Sequence, residues 1–203
     1  MHHRRSRPRD GAVKSPRSNP APPLAPPLVV RRRPGRPTQG LLAFAGRTLP
    51  CALGRGGTSV GKREGDGATP VGRFPLLFAF APQTAGRGGR AGGRVRTSPL
   101  PFRLVGARDG WCDAANDRNY NRPVRLPYPA SCERLRRDDP LYDMVVVPDH
   151  NMSRRVRGRG SAVFVHLARP GHAPTEGCVA LARRNMQWLW PRLRRGMRLV
   201  VER

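Results

Sequence analysis

The chain has 203 residues, with 39 Lys or Arg against 13 Asp or Glu for a formal net charge of +26. That length suits one domain with an added segment, and no run of about 18 apolar residues exists that would span a bilayer. Gly and Pro, at 23 each, are abundant enough to argue against a helical bundle and for a turn-rich β protein.

Residues 1–27 are rich in Arg and Pro and bury too little apolar surface to offset ordering entropy, so they are expected to be disordered. They do not read as a signal peptide, because Pro22-Pro23 and Pro26-Pro27 break the apolar region such a leader needs. Export by another route, or a true start further along the chain, would reconcile this with an exported protein. From residue 28 to 203 the pattern is that of a single folded domain. Strands are predicted over 28–32, 40–44 and 48–53, with turns at 34–37 and 45–47. A Gly-rich connection over 54–69 carries Lys62, Arg63, Glu64 and Asp66. It lacks the Gly-Lys-Ser/Thr ending of a phosphate loop, so nucleotide binding is not expected.

Residues 73–80 form a strongly apolar predicted strand, 84–97 a Gly- and Arg-rich surface loop, and 102–105 a further strand. The stretch 110–129 reads as a long irregular loop bearing Trp111, Asp113, Tyr120, Asn121 and Arg122, either a substrate wall or a self-packed loop. A short helix capped by Ser131 is expected over 130–137, then strands over 142–147, 161–166 and 179–181. An amphipathic helix over 183–193 would place Met186, Leu189, Trp190 and Leu193 on one side, ending at Gly196 before a last strand over 197–201. Many short strands with one or two short helices predict a mainly β fold, an antiparallel β-sandwich or partly closed barrel.

The chemistry concentrates late in the chain. Val163-Phe164-Val165-His166 closes an apolar run on a histidine, and Thr175-Glu176-Gly177-Cys178-Val179 follows twelve residues on, measured from His166 to Cys178. A histidine can take a thiol proton, and the thiolate can attack a carbonyl. Gly177 permits a tight turn whose N–H groups, those of Gly177 and Cys178, can face a developing oxyanion. His150 and His172 are the rival bases; His166 is favoured because a hydrophobic strand can hold it rigidly. The other cysteines are Cys51, Cys112 and Cys132. They show no metal-ligand spacing, so neither a metal nor another cofactor is expected. In an exported protein Cys112 and Cys132 can pair, or pack as small apolar residues.

These segments, Gly158 through His166 and Pro174-Thr175-Glu176-Gly177-Cys178-Val179-Ala180-Leu181, resemble the active-site region of L,D-transpeptidases with the YkuD catalytic domain. Lys62-Arg63-Glu64-Gly65-Asp66-Gly67-Ala68-Thr69-Pro70-Val71-Gly72-Arg73-Phe74 is similar to that family's Thr-Pro-x-Gly-x-Phe turn and strand. Trp111-Cys112-Asp113 and Tyr120-Asn121-Arg122-Pro123-Val124 resemble a proteobacterial subgroup. Leu167 stands where the larger family usually has Gly, and Ala180 where it has Arg.

The resemblance implies a bacterial acyltransferase of peptidoglycan synthesis, located in the cell envelope or periplasm. Its partners would be tetrapeptide stems cross-linked through a Cys178 thioester, with His166 as base. It also implies substrate contacts at Thr175, Tyr120, Asn121 and Arg122, the last offering a guanidinium in place of the absent arginine. Two alternatives stay open. One is a thiol hydrolase on the same scaffold, trimming stems as an L,D-carboxypeptidase or cleaving cross-links; the other is a non-catalytic basic binding module. The excess positive charge is expected to draw the protein to anionic membrane or wall polymers. No specific nucleic acid is expected, because the arginines are dispersed without interleaved aromatics.

Overall fold

Short apolar runs punctuated by Gly and Pro become fourteen strands in the computed structural model, which describes residues 25–82 and 98–203. The segments read as a disordered leader (residues 1–24 of it) and as the Gly/Arg-rich loop lie outside the described residues. A meander opens the fold: β1 (Leu28–Arg33), β2 (Arg36–Phe44) and β3 (Arg47–Ala52). Next come the two-residue strands β4 (Thr58–Ser59) and β5 (Thr69–Pro70), paired in parallel, then the long β6 (Gly72–Pro82) and β7 (Phe102–Val105). A small antiparallel sheet follows from β8 (Asp109–Cys112), β9 (Arg122–Arg125) and β10 (Cys132–Arg134). The last third of the chain holds β11 (Val145–Pro148), β12 (Val165–Leu167), β13 (Val179–Leu181), α1 (Arg183–Leu189) and β14 (Arg198–Val201).

Eight strands close into a barrel-like sheet in the order β11-β12-β13-β3-β2-β1-β14-β6, with β6 returning to β11. Closure removes the unpaired edges that a flat sheet would present. The length of β6 makes it possible: Gly72 to Pro75 pair with β14, Leu76 to Phe80 with β11, and Ala79 to Pro82 with β7. Six of the eight ring pairings are antiparallel, in line with the sequence pattern, while β1–β14 and β12–β13 run parallel.

Apolar side chains fill both faces of the later strands, which is why they read as continuous hydrophobic runs and not as an alternating pattern. Val146, Val165, Leu167, Val179 and Leu181 join the main core with Met186, Leu189, Trp190 and Leu193. Val145, Val147, Phe164 and Cys178 face a second cluster with Phe80, Trp111 and Tyr142. The four residues proposed as one face of the late helix are therefore all buried. The α-helix itself stops at Leu189, and a 3₁₀ turn, Trp190–Arg192, continues it; Pro191 supplies no N–H to extend the ladder.

Three expectations change. The stretch 110–129 is not an irregular loop but is framed by β8 and β9, whose register sets Trp111 opposite Pro123. The helix expected over 130–137 is absent, and Cys132, Glu133 and Arg134 pair with Cys112, Trp111 and Gly110. That segment has only Ala130, Cys132 and Leu135 to form an apolar face, too little to hold a short helix that tertiary packing must stabilise. Finally, the strand expected over 161–166 shortens to Val165–Leu167, since Ala162 adopts a left-handed φ of 49° that interrupts extended pairing.

Candidate active site

The parallel pairing of β12 with β13 builds the site. Val165 lies opposite Val179 and His166 opposite Ala180, so Cys178, two residues before Ala180, emerges on the same face as His166. That face carries the second cluster: Cys178 and Phe164 belong to it, and the Tyr142 ring packs edge-on against both His166 (centroids 5.2 Å apart) and Phe164 (6.0 Å). The crossover between the strands is short and holds a 3₁₀ turn at Pro170–His172.

Cys178 is buried, its sulfur accepting from the Phe164 N–H at 3.3 Å and donating to the Ala162 carbonyl at 3.2 Å. No hydrogen bond joins it to the imidazole in this arrangement, and catalytic hydrogen bonds commonly tighten only with substrate in place. Burial pushes the thiol up to about 12; the Phe164 N–H and Lys62 work against that rise, while Glu133 and Glu176 add to it. The turn before it is locked by Thr175, whose hydroxyl donates to the Cys178 carbonyl at 2.7 Å and accepts from the Gly177 N–H at 3.2 Å. Gly177 has φ +129°, and a Cβ there would fall 2.8 Å from the Ala68 carbonyl, so the turn demands glycine.

His166 is buried, with Nδ1 2.8 Å from the Leu167 carbonyl. A carbonyl can only accept, so Nδ1 carries the proton and Nε2 is left as the basic nitrogen. Burial lowers the imidazole to about 4; the Leu167 carbonyl opposes that fall, and Arg169 and Arg137 add to it. At neutral pH the pair thus rests as thiol and neutral imidazole. The rival His150 has Nε2 bonded to the Arg159 carbonyl at 3.0 Å and its ring against Phe74. His172 sits in the crossover turn with left-handed φ and a buried, unpartnered Nε2.

The other sequence-selected residues are committed to the frame. Asn121, in left-handed backbone, accepts from Trp111 Nε1 (3.0 Å) and the Ala162 N–H (3.1 Å) and donates to the carbonyls of His150 (3.1 Å) and Asn151 (2.8 Å). Both its oxygen lone pairs and both its N–H groups are used. Through Ala162 it fixes the carbonyl that the Cys178 thiol meets. Tyr120 is buried and donates to the Glu64 carboxylate, and Arg122 donates to the Met152 carbonyl at 3.0 Å. Cys112 and Cys132 are opposite one another across β8 and β10, both as free thiols.

Sequence reasoning missed two neighbours of the site. Tyr142 is held by a 2.8 Å hydrogen bond to Glu133, whose carboxyl burial pushes up. These two lie 24 and 33 residues before His166 and carry no local motif. Lys62, which begins the segment resembling the family's Thr-Pro-x-Gly-x-Phe turn and lies in the Gly-rich connection, was given no role; it is buried and ion-paired with Asp66. A separate cavity of about 560 Å³ beside β8 and β9, lined by Phe80, Arg103, Leu104, Arg125 and Tyr128 among others, includes neither Cys178 nor His166. Among the described residues, no three His, Cys, Asp or Glu side chains gather to hold a metal ion, and no helix is long and apolar enough to cross a membrane.

Comparison of the whole chain with known families supplies what the geometry by itself does not name. Residues 38–201 match the L,D-transpeptidase catalytic domain, YkuD, and the chain belongs to that family. Family members act on peptidoglycan peptides and are generally extracytoplasmic. No curated protein and no solved structure matches the chain.

Proposed function

We propose that this protein is a peptidoglycan L,D-transpeptidase that works through a thioester on Cys178. The observation that carries this reading is the placement of Cys178 and His166 on one face of the β12–β13 pair, with Nδ1 bonded to a carbonyl and Nε2 left basic. His166 Nε2 takes the thiol proton as the sulfur attacks the carbonyl carbon of the third stem residue. The oxygen becomes an oxyanion, and Nε2 returns the proton to the departing D-alanine amine, leaving the thioester. An amine of a second stem then attacks the thioester; its proton passes through Nε2 to the leaving thiolate, and a new amide remains. Because burial favours the neutral forms, proton transfer accompanies attack and does not precede it as a stored ion pair. The Gly177 N–H is already bonded to Thr175, so the Cys178 N–H is the better donor for the oxyanion.

In this reading Thr175 and Asn121 shape the site and do not touch substrate, while Tyr120 and Arg122 brace its wall. The catalytic unit begins at residue 28, since β1 is hydrogen-bonded between β2 and β14. The protein acts in the cell envelope, where its charge of +26 favours anionic wall or membrane polymers. The test is mass spectrometry of purified tetrapeptide stems incubated with the protein. Cross-linked dimers are expected; trimmed or cleaved stems alone would make it a hydrolase, and unchanged stems with no Cys178 adduct would overturn the enzymatic reading.

A further inference from the structure

Lys62 occupies an unusual place. Its side chain is buried, and its path is cleared by two glycines with left-handed φ. A Cβ on Gly160 (φ +92°) would fall 2.9 Å from the Lys62 methylenes, and one on Gly177 (φ +129°) would fall 3.5 Å from the Lys62 ammonium nitrogen. The stem therefore runs over Gly160 and delivers Nζ beneath the residue that precedes the nucleophile. Two groups hold it there: the Asp66 carboxylate and the Arg63 carbonyl at 3.0 Å. An ammonium has three N–H groups, so one remains beyond these two. Asp66 is itself fixed by the N–H groups of Arg63 (2.8 Å) and Ala68 (2.9 Å), and Ala68 in turn abuts Gly177. Strand β13, Val179–Leu181, contributes no cation of its own. The other ionisable groups facing Cys178 are Glu133 from β10, Glu176 from the turn, Tyr142 from the 3₁₀ turn before β11, and neutral His166 from β12. Glu133 has Arg137 as its partner at 3.8 Å, with that guanidinium also over the Tyr142 ring, and Glu176 is paired with Arg55 at 2.6 Å on the exposed side. Lys62 differs from these two arginines in bringing a buried ammonium up to Gly177.

We propose that Lys62, clamped by Asp66 and threaded past Gly160, is a positioning residue that holds positive charge at the nucleophile turn and so stabilises negative charge on Cys178. The inference rests on the reading of Cys178 as the nucleophile. The ammonium nitrogen lies 3.5 Å from where a Cβ on Gly177 would stand, and a charge at a buried turn acts more strongly than the same charge in bulk solvent. Burial alone would leave the thiol unreactive, and the ammonium opposes that burden.

The test needs no stem peptide. The full chain is alkylated with neutral iodoacetamide and, separately, with anionic iodoacetate, and the Cys178 adduct is quantified by peptide mapping across pH for wild type, Lys62→Met and Lys62→Arg. In Lys62→Met the rate is expected to fall, the rising limb to move to higher pH, and the iodoacetate-to-iodoacetamide rate ratio to drop roughly three- to tenfold, as loss of one nearby charge predicts. Lys62→Arg should keep the ratio. An unchanged ratio and pH profile in Lys62→Met would overturn the proposal. Should that variant not fold, Asp66→Asn keeps the ammonium and removes its counter-charge, so the ratio should rise; an equal or lower ratio there overturns the proposal as well. If wild type forms no thioester with stem peptides yet the ratio depends on Lys62, the transpeptidase reading fails and this inference stands.

Discussion

At the residue scale the two groups proposed to react are defined by what burial does to each. His166 is lowered to about 4 and Cys178 raised to about 12, so acylation should climb as pH passes about 4 and stay flat through neutrality. Both limbs of the bell lie outside the usual working range. Stability follows the same group. Below the ordinary value near 6.5 the unfolded chain takes up a proton that the folded state refuses until about pH 4, so stability falls across that window as pH drops. His166→Ala should slow thioester formation roughly 10²- to 10⁴-fold, the range for a positioned base, and should flatten the acid limb. His172→Ala should change the rate far less. Stopped-time mass measurement of the thioester for both variants against pH decides this; a larger loss in His172→Ala would move the base to the crossover turn. Cys178 and His166 stood out in the sequence as candidates because a glycine-framed cysteine and a strand-ending histidine are local signals. Asn121 was legible as a polar residue of interest, but its contacts were not. Its four partners come from positions 111, 150, 151 and 162, which only the fold brings together.

At the element scale, pairing decided what local propensity left open. The segment after Pro129 became a strand because β8 offered hydrogen-bond partners, whereas a helix there would have had almost no apolar face to bury. The same pairing sets Cys112 against Cys132. Directly opposite residues in antiparallel strands have Cα atoms about 4.5–5.5 Å apart, inside the range a disulfide spans. We expect the two free thiols to oxidise to a bridge under glutathione redox buffer, adding on the order of 3 kcal/mol to stability. Non-reducing peptide maps and urea melts of oxidised and reduced protein check it; persistence of both thiols, with only mixed glutathione adducts, would show that the side chains cannot meet.

For the molecule as a whole, charge and closure are separate matters. The +26 charge is read directly from composition and should give binding to anionic vesicles that weakens steeply with added salt. Co-sedimentation with phosphatidylglycerol vesicles over a salt series measures this, and retention that ignores salt would point to apolar insertion instead. Strand content, the late amphipathic helix, and the His166 and Cys178 positions followed from hydrophobic pattern, Gly and Pro placement and local motif, all of which act over a few residues. Barrel closure depends on β6 changing partners along its length, a choice made by strands 60 to 130 residues away in sequence. The surroundings of Cys178 depend on it too, for closure carries Lys62, Glu133 and Tyr142 to the nucleophile from three separate segments. Sequence alone marked out Cys178 and His166 as candidates; the tertiary structure decided how they are charged, because desolvation and long-range contacts exist only once the sheet has closed.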